Sequence, residues 1–244
     1  MKTIEYGKVK EFLSDCGVFF DTNNSNRFPD NSIIQFDERT KVESCCAILS
    51  GTYLPEIGSG SYSWSYIPSE LAVGRYCSIA GGLELLGSRH PLESLTTSSI
   101  QYDPAFSLCQ YYEQRLGGKI GGVPNPQKWD VKVENDVWIG GAVSMARGIT
   151  IHTGAVIAAK SVVVKDVPPY AIVGGNPAKI IKYRFCKDII QALLNSEWWL
   201  VTPQELKSYD RSSPDKFLAN FNKLNHPNNW QPVTITEQAI LKFV

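Results

Sequence analysis

Residues 133–168, written in rows of six, read VENDVW, IGGAVS, MARGIT, IHTGAV, IAAKSV and VVKDVP. The first column is aliphatic throughout: Val133, Ile139, Met145, Ile151, Ile157 and Val163. The fifth column is small or β-branched: Val137, Val143, Ile149, Ala155, Ser161 and Val167. This period matches neither the 3.6-residue repeat of an α-helix nor the alternation of a plain strand. It indicates an internal repeat in which a short strand is followed by a corner.

Three such units predict one triangular coil, with the first-column side chains filling a narrow interior. Stacked coils hydrogen-bond to one another, so the backbone polar groups are satisfied as the stack grows. The same register occurs earlier, at Ile67, Val73, Ile79 and Leu85. Six consecutive matches in one frame disfavour the alternative, a run of strands in a sandwich. We therefore predict an all-β solenoid, a parallel β-helix spanning residues 57–182.

The period fails between Leu85 and Val133, which predicts an excursion loop at about residues 87–131. A loop of this length inside a compact domain is usually functional. A looser unit, IGSGSY, begins at Ile57 and marks the predicted start of the solenoid.

The segments flanking the solenoid have a different character. Residues 1–56 lack a period but contain NSIIQF and CCAILSG, which predict a β-rich N-terminal extension. Residues 183–244 predict helices and a tail; Thr202 begins one helix with a capping box, and Ser213 begins another. We expect these helices to cap the open end of the solenoid, because terminal units must hide its apolar interior.

Composition narrows the function classes. The 244 residues carry a formal net charge of zero, which gives no sign of binding to nucleic acid or to an anionic membrane. No stretch approaches the roughly 20 apolar residues that span a bilayer, and the polar start is unlike a signal peptide. The six cysteines are scattered without metal-like spacing, which favours free thiols in the cytoplasm.

Three motifs carry a family resemblance: VGRYCSIAGGLELLGSRHP at 73–91, NDVWIGG at 135–141 and KDVPPYAIVGGNPAK at 165–179. Together they resemble the hexapeptide-repeat acyltransferases, in the xenobiotic acyltransferase branch that includes chloramphenicol, streptogramin and polysaccharide O-acetyltransferases. The resemblance implies a left-handed β-helix, a homotrimer, and acetyl-CoA as co-substrate in a groove between subunits. It also implies direct acetyl transfer to a hydroxyl without an acyl-enzyme and without a metal.

The resemblance assigns the general base to His90, at the root of the excursion. A neutral imidazole suits proton removal near pH 7, and such a base contributes roughly 10²–10⁴-fold to the rate. Glu84 or a backbone carbonyl is expected to orient it. The developing oxyanion needs a donor, either Trp138 or a main-chain N–H near Gly140 and Gly141. For Trp138 the alternative role is packing between subunits.

The family's cofactor contacts carry over to a set of small, aromatic and basic positions around the coils. Small residues let the pantetheine arm approach the backbone, and the lysines after GNP suit the CoA phosphates. The predicted cofactor-binding residues are Trp138, Gly141, Ala159, Val164, Lys165, Lys179 and Lys182. By contrast, His152, His226 and Cys77 are expected to be structural or surface residues.

The acceptor is predicted from the excursion, whose aromatic and polar residues suit a sugar; Tyr102 and Asp103 are the candidate substrate contacts. Arg89 replaces the Asn that the drug-modifying branch usually carries before its histidine. We therefore expect a bacterial surface saccharide of capsule or lipopolysaccharide, with an antibiotic such as chloramphenicol or streptogramin as the alternative.

Three other functions are weighed against these. A non-enzymatic role as a scaffold subunit is compatible with the sequence. A serine or nucleotide-sugar N-acetyltransferase is disfavoured, because those enzymes usually carry other flanking domains. A zinc carbonic anhydrase would need three histidines on adjacent coils, whereas only His152 lies in the coils.

Overall fold

The computed structural model describes residues 1–23, 27–87, 89–117, 130–221 and 230–244. The chain forms two compact units, one of Met1–Leu85 with Asp130–Val244 and the other of Leu86–Trp129. None of the helices in these ranges combines the length and the apolar character needed to cross a bilayer.

The first unit is built mainly of short parallel strands. Its strands are β1 (Lys2–Glu5), β2 (Val18–Phe19), β3 (Ile33–Phe36), β4 (Lys41–Glu43), β5 (Cys46–Ile48), β6 (Glu56–Ile57), β7 (Tyr62–Ser63), β8 (Leu71–Val73), β9 (Ser78–Ile79), β10 (Glu84–Leu85), β11 (Val131–Val133), β12 (Trp138–Ile139), β13 (Ser144–Met145), β14 (Thr150–Ile151), β15 (Val156–Ile157), β16 (Val162–Val163), β17 (Ala171–Gly175), β18 (Ala178–Tyr183) and β19 (Thr234–Thr236).

Seventeen of these strands form three sheets that the chain visits in rotation, and β1 pairs antiparallel with β3 in a separate two-stranded sheet. An eight-stranded sheet has the order β18-β17-β15-β12-β9-β7-β5-β2, and a six-stranded sheet has the order β14-β11-β8-β6-β4-β19. The third sheet is β10-β13-β16. Within the 131–163 stretch, parallel partners such as Trp138 and Val156, or Ser144 and Val162, are 18 positions apart. Three six-residue units therefore close one coil, as the period predicts.

The interior of the coils matches the sequence columns. Every first-column residue from Val133 to Val163 is at most 2% exposed, and the fifth-column residues are buried as well. Backbone hydrogen bonds run from coil to coil, for example from the Gly140 N–H to the Ile157 carbonyl. The hexapeptide pattern thus corresponds to a continuous apolar core with an internally satisfied backbone.

The two larger sheets continue into the N-terminal extension. Strands β2 and β5 extend the eight-stranded sheet, and β4 extends the six-stranded one. From β4 to β9, parallel partners are only 15 or 16 positions apart, as in Ala47 with Tyr62 and Tyr62 with Ser78, whereas Val18 of β2 and Cys46 of β5 are 28 positions apart. These coils have strands in two sheets and none in the third, which explains why no period of six is visible there.

Both chain termini pack onto the N-terminal coils. Helix α1 (Tyr6–Asp15) buries Val9 and Leu13 in the same core. At the other terminus, β19 pairs antiparallel with β4, and α6 (Glu237–Ile240) buries Ile240 in that core. The segment predicted as a tail therefore contains a strand and a helix; His226 lies outside the described residues.

The other C-terminal helices are α3 (Lys187–Ser196), α4 (Pro203–Leu206) and α5 (Pro214–Phe221), with a 3₁₀ turn at Trp198–Leu200. The predicted capping box of α4 is present, because Thr202 Oγ1 accepts from the Glu205 N–H at 3.2 Å and Glu205 returns the bond. These helices form a second core that includes Tyr76 and Tyr170, which belong to different coils. They lie along an edge shared by several coils rather than across the last coil alone.

The second unit, Leu86–Trp129, coincides with the segment in which the period fails. Its described part contains a 3₁₀ turn at Ser99–Gln101 and helix α2 (Ser107–Leu116), which buries Cys109. Residues 88 and 118–129, including the aromatic Trp129, lie outside the described residues.

Candidate active site

His90 is held by two partners within the second unit. Its Nδ1 lies 2.8 Å from the Thr97 carbonyl oxygen and 2.7 Å from the Tyr102 hydroxyl. The His90 and Tyr102 rings meet edge to face, with centroids 5.9 Å apart. Of the two orienting groups expected from the sequence, a backbone carbonyl is the one that contacts the imidazole, and it comes from Thr97.

The Thr97 carbonyl determines which nitrogen of His90 carries the proton. A carbonyl oxygen can only accept, so we assign the proton to Nδ1, which donates to Thr97. The Tyr102 hydroxyl oxygen then shares that proton as a second acceptor. This tautomer leaves the lone pair on Nε2, the form of imidazole that acts as a general base.

The other residue predicted to contact the substrate, Asp103, is engaged within its own loop. Its Oδ1 accepts from the Ala105 N–H at 3.1 Å, and its N–H donates to the Ser99 carbonyl at 2.9 Å. Three further aromatic residues of this unit, Phe106, Tyr111 and Tyr112, are exposed. Their rings are therefore accessible rather than packed into a small core of the loop.

Trp138 lies on the outer face of the eight-stranded sheet and is 59% exposed. Its neighbours in the same outward row are Ser78 on one side and Val156, Ile172 and Lys182 on the other. Because strands are spaced about 4.8 Å apart, Trp138 and Lys182 are about 14 Å apart along this row.

Two of the predicted small residues occupy equivalent corners of neighbouring coils. Lys160 N–H donates to the Gly141 carbonyl at 2.8 Å, which places Ala159 beside Gly141 in adjacent coils. A Cβ added at Gly141 would meet only the Gly81 carbonyl oxygen, at 3.6 Å. At Gly140, in contrast, an added Cβ would lie 2.6 Å from the Ala159 nitrogen. The chain is therefore open outside Gly141 and closely packed at Gly140.

One of the main-chain N–H groups considered as an oxyanion donor is already used in a hydrogen bond between coils. The Gly140 N–H already donates to the Ile157 carbonyl at 2.9 Å. The remaining candidates are the Trp138 indole and the Gly141 N–H.

The predicted basic residues lie in two places. Lys179 and Lys182 are both exposed on β18, the terminal strand of the eight-stranded sheet. Val164 and Lys165 follow β16 of the three-stranded sheet, one corner later along the coil than Ala159. Five of the predicted cofactor-binding residues therefore lie on the eight-stranded sheet or at the corner next to it: Trp138, Gly141, Ala159, Lys179 and Lys182. The other two, Val164 and Lys165, lie one corner away.

His152 and Cys77, which are expected to be structural or surface residues, have surroundings that suit such roles. His152 Nδ1 is 3.3 Å from Glu134 Oε2, which also accepts from the backbone and hydroxyl of Thr153. Burial raises the pKa of the Cys77 thiol to about 12, which suits packing and not nucleophilic attack. No cluster of three or more metal-ligating side chains occurs within the described ranges.

Comparison with known proteins identifies the family. No protein-family model matches the chain. A probable macrolide acetyltransferase from Lysinibacillus sphaericus is 37% identical over 147 residues, which cover 59% of this chain and 77% of that relative. The chain belongs to this acetyltransferase family. A chloramphenicol acetyltransferase from Klebsiella aerogenes is 39% identical over 145 residues, covering 57% of this chain and 63% of that protein. The resemblance to the xenobiotic branch of hexapeptide-repeat acyltransferases is thereby confirmed.

Solved structures with similarity include a hexapeptide-repeat acetyltransferase from Vibrio cholerae and a maltose O-acetyltransferase from Clostridium difficile. The first is 24% identical over 58% of this chain and 60% of its own, with a TM-score of 0.32. The second is 26% identical over 57% of this chain and 58% of its own, also with a TM-score of 0.32.

Proposed function

We propose that this acetyltransferase uses acetyl-CoA and transfers the acetyl group directly to a hydroxyl, with His90 as general base. Nε2 takes the proton from the acceptor hydroxyl as its oxygen attacks the thioester carbonyl. The tetrahedral oxyanion is stabilised by the Trp138 indole or the Gly141 N–H, and it collapses with release of the CoA thiolate. His90 then returns the proton to that thiolate. The observation that carries this proposal is the bond from Nδ1 to the Thr97 carbonyl, which leaves Nε2 unprotonated.

The donor would lie along the outer row of the eight-stranded sheet. Trp138 and Gly141 would border the thioester and the pantetheine arm, and Lys179 and Lys182 would meet the nucleotide phosphates. The separation of about 14 Å between Trp138 and Lys182 is within reach of an extended pantetheine arm. Val164 and Lys165, one corner away, remain family-derived candidates without this support.

Replacing Lys179 and Lys182 together by alanine is expected to raise KM for acetyl-CoA about tenfold and to leave kcat nearly unchanged. The lysines would bind phosphates equally in the ground and transition states, so their loss removes uniform binding. The measurement compares KM for acetyl-CoA with KM for acetyl-pantetheine, a donor that lacks the nucleotide phosphates. An equal increase for both donors would contradict a phosphate role.

Gly141→Val is expected to raise KM for acetyl-CoA at least about tenfold while the melting temperature stays within roughly 2 °C of wild type. A Cβ added there has only an ordinary van der Waals contact with the Gly81 carbonyl oxygen, at 3.6 Å, yet the valine side chain would fill the proposed path of the pantetheine arm. The matched control is Gly140→Ala, which should lower stability by about 1–3 kcal/mol because its Cβ collides with backbone. An unchanged KM in Gly141→Val would place the donor elsewhere.

For the acceptor, we propose a hydroxyl of a small antibiotic-like molecule, because the similar proteins are named chloramphenicol and macrolide acetyltransferases. A saccharide is the second candidate, and one groove favours it. The groove lies on the eight-stranded sheet and has a volume of 490 Å³. Its lining includes the exposed aromatic residues Phe19, Tyr62 and Trp64, together with Thr22. Aromatic faces beside a hydroxyl suit the two faces of a sugar ring.

The deciding experiment measures thiol release from acetyl-CoA with chloramphenicol, a macrolide and a panel of surface saccharides offered separately. Release with either drug supports the leading acceptor class, and release only with a saccharide supports the second. If no acceptor gives release and acetyl-CoA fails to raise the melting temperature, the protein is a scaffold subunit and the proposal is wrong.

The assembly and the handedness are proposed on the family pattern. We infer a left-handed coil and a homotrimer, with the donor groove completed by a neighbouring subunit. Light scattering is expected to give three times the monomer mass. A stable monomer that still turns over acetyl-CoA would overturn the shared groove.

A further inference from the structure

A separate cavity lies under the C-terminal helices, within the first unit. It has a volume of 360 Å³, and its lining includes Tyr76, Asp136, Tyr170, Trp198 and Arg211. The coil side of the cavity is formed by corner residues and the other side by residues of α3, α4, α5 and their connections. None of the residues proposed to hold acetyl-CoA or to act in acetyl transfer lines this space.

Three stacked corners on the coil side adopt the left-handed backbone conformation. Tyr76, Asp136 and Tyr170 have φ values of 60°, 55° and 55°. The Tyr170 ring covers Gly154 so closely that no side chain fits there, and the Tyr76 ring covers Gly60 in the same way. Both rings therefore pack directly against the glycine backbone of the neighbouring coil.

Two hydroxyl groups in this wall are buried without a partner. Neither Tyr76 Oη nor Tyr170 Oη is hydrogen-bonded to any described part of the chain, although Tyr170 is only 1% exposed. The Trp198 indole lies near the Tyr170 hydroxyl without the geometry of a hydrogen bond. Burial raises the pKa of both tyrosines, so both stay protonated and act as donors. Buried polar groups nearly always have a partner, so their lack of one calls for an occupant.

The charges define what that occupant must offer. Asp136 is the acidic group of the cavity lining, and it is already paired, with Arg184 Nη1 2.8 Å from its Oδ2. Arg211 adds a second positive charge, and no ion pair of Arg211 occurs among the described residues. The unpaired groups are thus hydroxyl and guanidinium donors, and the occupant has to be an acceptor, best an anion.

The walls also favour a flat ring. The Tyr76 and Trp198 rings are 5.1 Å apart between centroids, and the Arg184 guanidinium lies 5.2 Å from the centres of both Tyr170 and Phe185. We propose that this cavity binds a small aromatic carboxylate. Its ring packs among these aromatic side chains, and its carboxylate accepts from the two tyrosine hydroxyls and from Arg211.

The test uses benzoate, phenylacetate and 4-hydroxyphenylacetate as probes, with neutral benzyl alcohol as the matched control. Binding is measured by ligand-observed NMR and by the melting temperature of the full chain. At least one carboxylate is expected to bind at millimolar concentration or better and to raise the melting temperature, and benzyl alcohol to bind at least about tenfold more weakly.

Tyr170→Phe is expected to stabilise the free protein and to weaken carboxylate binding. Removing an unpartnered buried hydroxyl should raise the melting temperature of the free protein by about 2–4 °C and weaken carboxylate binding about tenfold. Tyr66→Phe, at an exposed tyrosine outside the cavity, should change neither quantity. A lower melting temperature for free Tyr170→Phe would mean that the hydroxyl is already satisfied, and it would overturn the proposal.

Arg211→Gln provides the second variant, at an exposed position where folding is not at risk. It should weaken carboxylate binding about tenfold and leave benzyl alcohol unaffected. Equal binding of carboxylate and alcohol to wild type, or carboxylate binding that survives both variants, would show that the cavity does not select an anion. Absence of binding by all three carboxylates would equally reject the site.

Discussion

Replacing His90 by alanine is expected to lower kcat for thiol release by roughly 10²–10⁴-fold, the usual contribution of a general base. KM for acetyl-CoA should change little, because the imidazole acts on the acceptor hydroxyl and its effect is felt mainly in the transition state. His90 is exposed, so the melting temperature should stay close to that of the wild type. The measurement is steady-state thiol release with the acceptor that the panel selects.

Two further variants separate catalysis from structure. His152→Ala removes a histidine that contacts Glu134 and should leave kcat within about threefold of wild type. Tyr102→Phe keeps the Thr97 carbonyl, and therefore the tautomer, so we expect a loss well below that of His90→Ala. If His90→Ala keeps full activity, the base is another group and the proposed mechanism fails.

The period of six predicts the coils well because the geometry imposes one environment on each column. Ile139 and Ile157 meet the same surroundings one coil apart, so the same kind of side chain recurs. From β4 to β9 the coils use 15 or 16 residues and two sheets, and the β2–β5 partners are 28 positions apart, so the N-terminal extension has no fixed column of equivalent residues. No local pattern indicates the strand at Thr234–Thr236, because its partner, β4, is nearly 200 residues away in the sequence.

In the candidate active site too, features marked by a local motif can be predicted from the sequence, and contacts between distant segments cannot. The position of His90 follows from a motif, but its partner at Thr97 is a backbone carbonyl, which no residue type signals. Tyr102 is predicted to contact the substrate, and the structure adds a contact that no sequence pattern indicates, because its hydroxyl lies 2.7 Å from the imidazole. The cavity at Tyr170 depends on α3–α5 folding back onto an edge of the coils, which sequence periodicity does not encode.

Removing the Arg75 side chain is expected to destabilise the protein by about 2–4 kcal/mol, a value reduced from that of fully buried pairs because Glu43 is partly exposed. Arg75 binds Glu43 through two bonds of 2.7 and 2.8 Å, so it ties a coil to the N-terminal extension. Its other Nη reaches the carbonyls of Trp199 and Trp230, and its guanidinium lies 5.0 Å from the Trp230 ring. One side chain therefore joins three parts of the chain that are far apart in sequence.

Urea unfolding of Arg75→Ala measures this effect, with Arg39→Ala as the matched control. Arg39 forms an ion pair with Asp130 in which both side chains are largely exposed, so its loss should cost at most about 1 kcal/mol. Arg75→Lys should be intermediate, because an ammonium cannot make the two parallel bonds to Glu43. Adding Glu43→Gln to Arg75→Ala should recover part of the loss, since it removes the stranded charge. Equal stability of Arg75→Ala and Arg39→Ala would show that the connection contributes no more than a surface pair.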